Sequence, residues 1–206
     1  MVESLRERQK ERRQRLILDT AARLIGEKGL DDTTIQEIAA GAEVGVATVY
    51  NYFGSKNDLL LALLIRYIEE EADLGEAVLR NPPDDMTDGF AALFGVYLLG
   101  MVERIGPRLM QEFMSLALSR QLRYGQDTYE MKLRYLDQCR RLAAFYRDRG
   151  QARDDVTVDE VAMAYYSSMS FLSMMVALGR VGGIDTMRQM MRRQLSLVAS
   201  GIARRN

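Results

Sequence analysis

Between Thr33 and Asp58 two short helical patterns are separated only by Glu43-Val44-Gly45, and that spacing restricts the fold more than any other feature of the chain. Ile35, Ile38, Ala39 and Ala42 recur at helical spacing and predict one buried face. Thr33 is placed to cap this helix, with Gln36 closing a capping box. The three-residue link is too short for anything but a turn, and Gly45 stands where Ser, Asn or Asp would cap better. In the second helix Val49 and Phe53 face inward, while Val46, Ala47, Thr48, Asn51 and Tyr52 stay on or near the outer face. Ser55 with Asp58 then opens a further helix through a second capping box. A small, mostly uncharged outer face suits a helix that enters a groove about 12 Å wide, the width of the DNA major groove. The pattern is that of a helix-turn-helix with its neighbours attached.

The rest of the chain reads as helix nearly throughout. Pro is scarce, at three residues, and Ala, Leu, Met, Arg and Glu are abundant. A first helix is expected from about Lys10 to Lys28, its buried stripe made by Ile17, Ala21, Leu24 and Ile25 and its end marked by Gly29. A long helix is expected from Ser55 towards Arg80, stopped by Asn81-Pro82-Pro83-Asp84-Asp85. Beyond lie helices over Thr87 to Ile105, then past Gly106-Pro107 to about Tyr124, then Asp127 to Arg149. Thr157 with Glu160 forms a third capping box for a helix that is apolar nearly all round, and Asp185 to about Arg204 forms the last. A single chain has difficulty covering both faces of residues 161–178. Two copies packed as a four-helix bundle would cover them.

Composition narrows the function. An apolar content of 48% supports a packed core, and no run approaches the roughly 18 uncharged apolar residues of a membrane span. The amino terminus is charged from Glu3 onward, so no secretory leader is expected. The single Cys139 allows no internal disulfide and fits a reducing, cytoplasmic setting. There is no histidine, which removes the commonest general base and the commonest metal ligand. No phosphate-binding or dinucleotide motif is present. Catalytic residues, metal and cofactor are all expected to be none, and the chain is not read as an enzyme. The net charge of −1 argues against non-specific coating of nucleic acid. Positive charge is local instead. Arg6, Arg8, Lys10, Arg12, Arg13 and Arg15 outnumber Glu3, Glu7 and Glu11, as suits an arm or helix end that meets phosphates.

The segment resembles the DNA-binding region of the TetR family of bacterial transcriptional regulators. The shared pattern is T-T-x-x-x-I-A, then A-x-V-x-x-x-T-x-Y-x-Y-F, then S-K-x-x-L. Here Thr33, Thr34, Ile38, Ala39, Ala42, Val44, Thr48, Tyr50, Tyr52, Phe53, Ser55, Lys56 and Leu59 carry it. Glu43 stands where the family often has Gly, Gly45 where it often has a polar cap, and Gln36 where it often has a basic residue. The matched positions imply that Thr34, Tyr52 and Lys56 hold phosphates, and the resemblance implies pairing through the two C-terminal helices and some ligand pocket in the C-terminal region. Val46, Ala47, Thr48, Tyr50 and Asn51 are the expected base-reading surface, with Asn51 suited to an adenine edge and the small residues to thymine methyls.

The reading is an all-α protein. An N-terminal three-helix helix-turn-helix DNA-binding domain (residues 1–54) precedes a larger C-terminal helical domain for ligand binding and dimerisation (residues 55–206). It is expected to be a homodimeric repressor released from a palindromic double-stranded DNA operator by a small, largely apolar effector, with no membrane partner. The other reading is a helical ligand- or partner-binding protein that no longer binds DNA. Thirteen Met and ten Tyr, with no Trp, suggest an adaptable apolar site. Its candidates are Phe94, Tyr97, Met101, Met110, Phe113, Met114, Tyr135, Tyr165, Met169 and Met174.

Overall fold

The computed structural model describes residues 5–118 and 122–203, with the side chains of 114–118, 122–132 and 177 outside the description. Helices α1 (Leu5–Lys28), α2 (Ile35–Gly41), α3 (Val46–Phe53) and α4 (Lys56–Arg80) come first. They are followed by α5 (Met86–Phe94), a π-helical turn (Gly95–Gly100) and α6 (Met101–Leu118). Helices α7 (Leu122–Asp148), α8 (Val158–Ala177) and α9 (Gly183–Ile202) complete the order. Among the described residues the only extended pairing is an isolated bridge between Ala152 and Ala203. The all-α architecture expected from the sequence is the one observed. Helix α1 begins earlier than Lys10, and α7 earlier than Asp127.

Local chemistry sets most boundaries. Gly29 takes a φ of 91°, closing α1 by donating its N–H to Ile25. Ser55 accepts from Asp58 to start α4, and Thr157 with Glu160 completes a reciprocal capping box on α8. Each such cap stabilises its helix by about 1 kcal/mol. Gly106 has φ 75° and ψ 165°, so α6 is kinked there, just before Pro107.

Helix α4 belongs to both halves of the molecule. Its first turns bury Leu59, Leu60, Leu63 and Leu64 against Ile17, Ile25, Ile38, Val49 and Phe53. Its last turns pack on α7, where Gly75 leaves room for the buried Gln138. A Cβ at residue 75 would collide with the Gln138 carboxamide. The Gln138 amide donates to the Ala72 carbonyl and to Glu76, both at 2.9 Å, and its oxygen accepts from Tyr97 at 2.6 Å. One helical run, Met86–Phe113, has the length and hydropathy to cross a membrane, but half of its most apolar window is buried inside the fold. The sequence shows no long uncharged run; the structure joins shorter ones into one core element.

The two halves also meet where α6 crosses α1. Arg108 donates to the Glu27 carbonyl at 3.0 Å, and Leu30 N–H donates to Glu112 at 3.2 Å. Beside this contact the Glu71 carboxylate is 1% exposed and faces Arg104 of α6 as its ionic partner. Removing one member of a buried pair leaves an uncompensated charge, at a cost of about 3–5 kcal/mol. Arg104→Gln should therefore destabilise by about 3 kcal/mol, the low end because the arginine side chain is 35% exposed. Glu71→Gln/Arg104→Gln should recover part of that loss. Urea unfolding of the two single variants and the double variant measures it; additive losses would show that the groups do not interact.

Candidate nucleic-acid interface

The site is built from the cap inward. Thr34, not Thr33, is the N-cap of α2, with φ −106° and ψ 153°. It accepts from Glu37 N–H at 3.2 Å, and Glu37 accepts the Thr34 N–H at 2.9 Å, so Glu37 takes the place expected for Gln36. Thr33 is fully buried and donates its hydroxyl to the Gly29 carbonyl at 2.7 Å. The one-residue shift satisfies the end of α1 and the start of α2 with adjacent threonines. The Lys28 ammonium at 2.6 Å, then the Thr34 N–H and hydroxyl, hold the Glu37 carboxyl down to about 2. A depressed carboxyl stabilises the folded state above its ordinary value of 4.5, and that contribution disappears as pH falls towards 2.

In the turn, Val44 N–H donates to Ala39 at 2.9 Å and Glu43 adopts a φ of 54°. That left-handed conformation costs a non-glycine residue roughly 1–2 kcal/mol. Gly45 caps α3 without a side-chain bond. On α3, Val49 and Phe53 are buried. Val46 (37% exposed), Ala47, Tyr50 (48%) and Asn51 face solvent, with Thr48 half-buried beside them. The five base-reading candidates thus lie on or next to one open, uncharged helix face.

The three phosphate candidates are differently placed, because the polar atoms of each already have partners within the protein. The Thr34 hydroxyl also donates to Glu37 at 2.8 Å. Tyr52 is half-buried and donates to the Lys10 carbonyl of α1 at 3.2 Å. Lys56 Nζ donates to the carbonyls of Leu30 at 2.6 Å, Thr33 at 2.9 Å and Asp31 at 3.4 Å. An ammonium has three donors, and here they hold the α1–α2 corner on the start of α4. The sequence pattern marks Lys56 but cannot show that its charge is directed inward.

The effector candidates form much of the C-terminal core. Phe94, Met101, Met110, Phe113, Tyr165 and Met169 are buried, with Tyr97 and Tyr135 packed against them. Tyr97 and Tyr135 have ring centroids 4.1 Å apart, and Phe94 meets Tyr135 edge-on at 5.8 Å. Tyr165 stacks on Phe90, which the sequence pattern does not single out as a site residue, at 3.7 Å. Burial raises the Tyr97, Tyr135 and Tyr165 hydroxyls above their ordinary value and pushes the Cys139 thiol up to about 12. Met174 lies apart, on the outer face of α8 at 37% exposure, and the Met114 side chain lies outside the described residues. Clefts of ≈ 460, 430 and 570 Å³ open elsewhere, at the α5–α9 end, between α1, α4 and α6, and along α5 and α9. Their walls contain none of these candidates.

Residues 17–63 match the profile of the family described as bacterial regulatory proteins, tetR family. The HTH-type transcriptional regulator BetI of Brucella anthropi is 39% identical over 70 residues, covering 34% of this chain and 36% of its own length. The HTH-type regulator YuxN of Bacillus subtilis is 38% identical over 58 residues, covering 28% of this chain and 20% of its own length. The matched stretch therefore spans about a third or less of these curated relatives. Whole-chain similarity is seen with solved structures. A TetR-family regulator of Mesorhizobium loti superposes with a TM-score of 0.72 at 18% identity, covering 98% of this chain and all of its own. FadR of Bacillus subtilis, in complex with stearoyl-CoA, gives 0.72 at 18% identity, covering 91% of this chain and 98% of FadR. A regulator of Saccharomonospora viridis, in complex with choline, gives 0.71 at 24%, covering 93% and 98%. At these identities the likeness is one of fold.

The engagement of Lys56 sets a test. Lys56→Met should lower stability by about 2 kcal/mol, since hydrogen bonds from a charged donor contribute about 1.5–3 kcal/mol. A fall in the urea midpoint at unchanged slope would register it. An unchanged midpoint would mean that water serves these carbonyls equally well and that the ammonium is available to phosphate.

Proposed function

We propose, from the match of residues 17–63 to the tetR family of bacterial regulatory proteins, that the chain is a TetR-family regulator and acts as a homodimeric, effector-responsive transcriptional repressor. One observation carries the proposal: α3 presents an open, uncharged face within a helix-turn-helix whose supporting residues are buried. Residues 1–54 would place α3 in the major groove, and residues 55–206 would bind effector and the second protomer. Asn51 would address an adenine edge, with Val46, Ala47, Thr48 and Tyr50 beside it. Thr34, Tyr52 and Lys56 would approach phosphates only by exchanging the bonds they already make, so each contributes little net energy.

The dimer is supported by apolar surface left open on the last two helices. Met163 (47% exposed), Phe171 (51%) and Met174 (37%) recur at helical spacing along α8, Leu178 (59%) follows as its C-cap, and Leu197 on α9 is 67% exposed. Pairing α8 and α9 with a second copy would cover them as a four-helix bundle, and its two-fold axis demands a palindromic operator with half-sites about 34 Å apart or a multiple of that distance. Phe171→Glu should yield monomers by sedimentation and lose operator binding, leaving the helical content unchanged. A dimeric variant would place the interface elsewhere.

The effector is proposed to enter between the aromatic rings of α5, the π-helical turn, α7 and α8. Support comes from the buried tyrosine hydroxyls, which can orient a guest, and from the π turn, a feature found often at functional sites. Binding would favour a conformation that does not fit DNA and shift the population towards it. Selection from a pool of random duplexes tests the whole reading. An enriched palindrome is the expected result, and Asn51→Ala should relax the preference at particular base pairs by about 1–3 kcal/mol. A selection that enriches nothing, from protein stripped of ligand by refolding, would favour a protein that no longer reads DNA.

A further inference from the structure

The surface proposed to read DNA holds no available positive charge. Between Gly29 and Ser55 there is no lysine or arginine, against Asp31, Asp32, Glu37 and Glu43. Lys56, the next cation, donates to three carbonyls, and Lys28, just before the stretch, pairs with Glu37 at 2.6 Å. Duplex DNA attracts proteins chiefly through release of counterions from its phosphates, which requires cations at the interface. The helix-turn-helix as folded does not supply them.

They stand on the helix next to it. Helix α1 is formed from Leu5, yet residues 5–13 are exposed without exception, as are Arg15 and Leu16. This stretch carries Arg6, Arg8, Lys10, Arg12, Arg13 and Arg15 against Glu7 and Glu11. The Tyr52 hydroxyl bonds the Lys10 carbonyl, which anchors the basic stretch on the recognition helix. Beyond that anchor α1 projects by about 8 Å, at 1.5 Å per residue. A solvated helix with little apolar contact gains little from being folded. Its exposure and charge suit an acidic partner lying beside α3.

We propose that the amino-terminal half of α1 is the phosphate-binding element of this protein, supplying the sequence-independent affinity for duplex DNA while α3 supplies the discrimination. The inference rests on the DNA-binding reading above. It assigns a role to Tyr52 as well: the side chain is a positioning residue that sets the angle of α1 against the groove.

The test uses the full chain and a labelled duplex of mixed sequence, so no operator need be known. Binding is followed by anisotropy from roughly 50 to 200 mM salt. Arg6→Gln/Arg12→Gln/Arg13→Gln should keep the wild-type melting curve but lower the magnitude of the log–log salt slope by about 2–3, at about 0.9 for each phosphate no longer neutralised. Lysine at the same three positions should restore it. Tyr52→Phe should weaken binding with a smaller change in slope. A triple glutamine variant with the wild-type slope overturns the proposal while leaving the DNA-binding reading intact. A wild-type protein that binds no duplex at any salt overturns both.

Discussion

The corner where Lys56 reaches back to the carbonyls of Leu30 and Thr33 holds the molecule in its shape. Those carbonyls lie beyond the end of α1, in the link to α2, where helix geometry offers them no partner. Without a donor they would be costly so near the core. One ammonium serves them and, being the first residue of α4, fixes where that helix leaves the corner. Ser55 and Asp58 then cap the helix, and Leu59, Leu60 and Leu63 bury fully within its first turns. A misdirected α4 would lose both the caps and the leucine packing. The direction of this 25-residue rod, about 37 Å long, is therefore over-determined at its start.

What is fixed at one end of α4 is felt at the other. Glu71, Gly75 and Glu76 lie along its second half, facing Arg104 of α6 and Gln138 and Arg141 of α7. These contacts are polar and directional, unlike the leucine packing at the start, so they permit only a few arrangements. Gln138 accepts a hydrogen bond from the Tyr97 hydroxyl while donating to Ala72 and Glu76, tying the π turn, α4 and α7 through one side chain. Parting the aromatic rings around Tyr97 and Tyr135 would disturb this node, since the Tyr97 hydroxyl is bonded directly to Gln138. The fold thus gives a physical route from the aromatic core to the helix that carries the Lys56 corner. The second contact, between α6 and the end of α1, reaches the same corner through Glu112 and Leu30.

Much of this is legible in the sequence because it rests on local chemistry. The caps at Ser55 and Thr157, the stop at Gly29, the Pro82-Pro83 break and the inward Val49 and Phe53 all follow from spacing within one helix. Spacing misplaces the α2 cap by one residue because Thr33 and Thr34 are chemically alike, and only burial assigns Thr33 to the interior. Glu43 gives a signal, since it stands where the resembled family often has glycine, and it takes the left-handed conformation that explains the preference. The Arg104–Glu71 pair, the Gln138 node and the docking of Arg108 on α1 join residues far apart in sequence, and no periodicity encodes them. Met174 shares its residue type with the buried methionines but not their face of α8, where Phe171 and Leu178 share its outward turn.

The direction of Lys56 bears on how affinity and specificity are divided. A lysine in a DNA-binding motif is ordinarily credited with a phosphate, yet this one is directed to the protein's own backbone. On the proposed reading, the four carboxylates between residues 29 and 55, one of them paired with Lys28, lend the reading surface no attraction for DNA. Such a surface would gain little from a random sequence and would hold only where base edges match α3. Attraction supplied from α1, as proposed, would be the complementary half: it would act on any duplex, over about 10 Å at moderate salt, without regard to the bases. On the same reading the Tyr52–Lys10 bond and the buried face of α1 together join α1 to α3, and a shift of α4 or of α6, which docks on the end of α1, would bear on that junction.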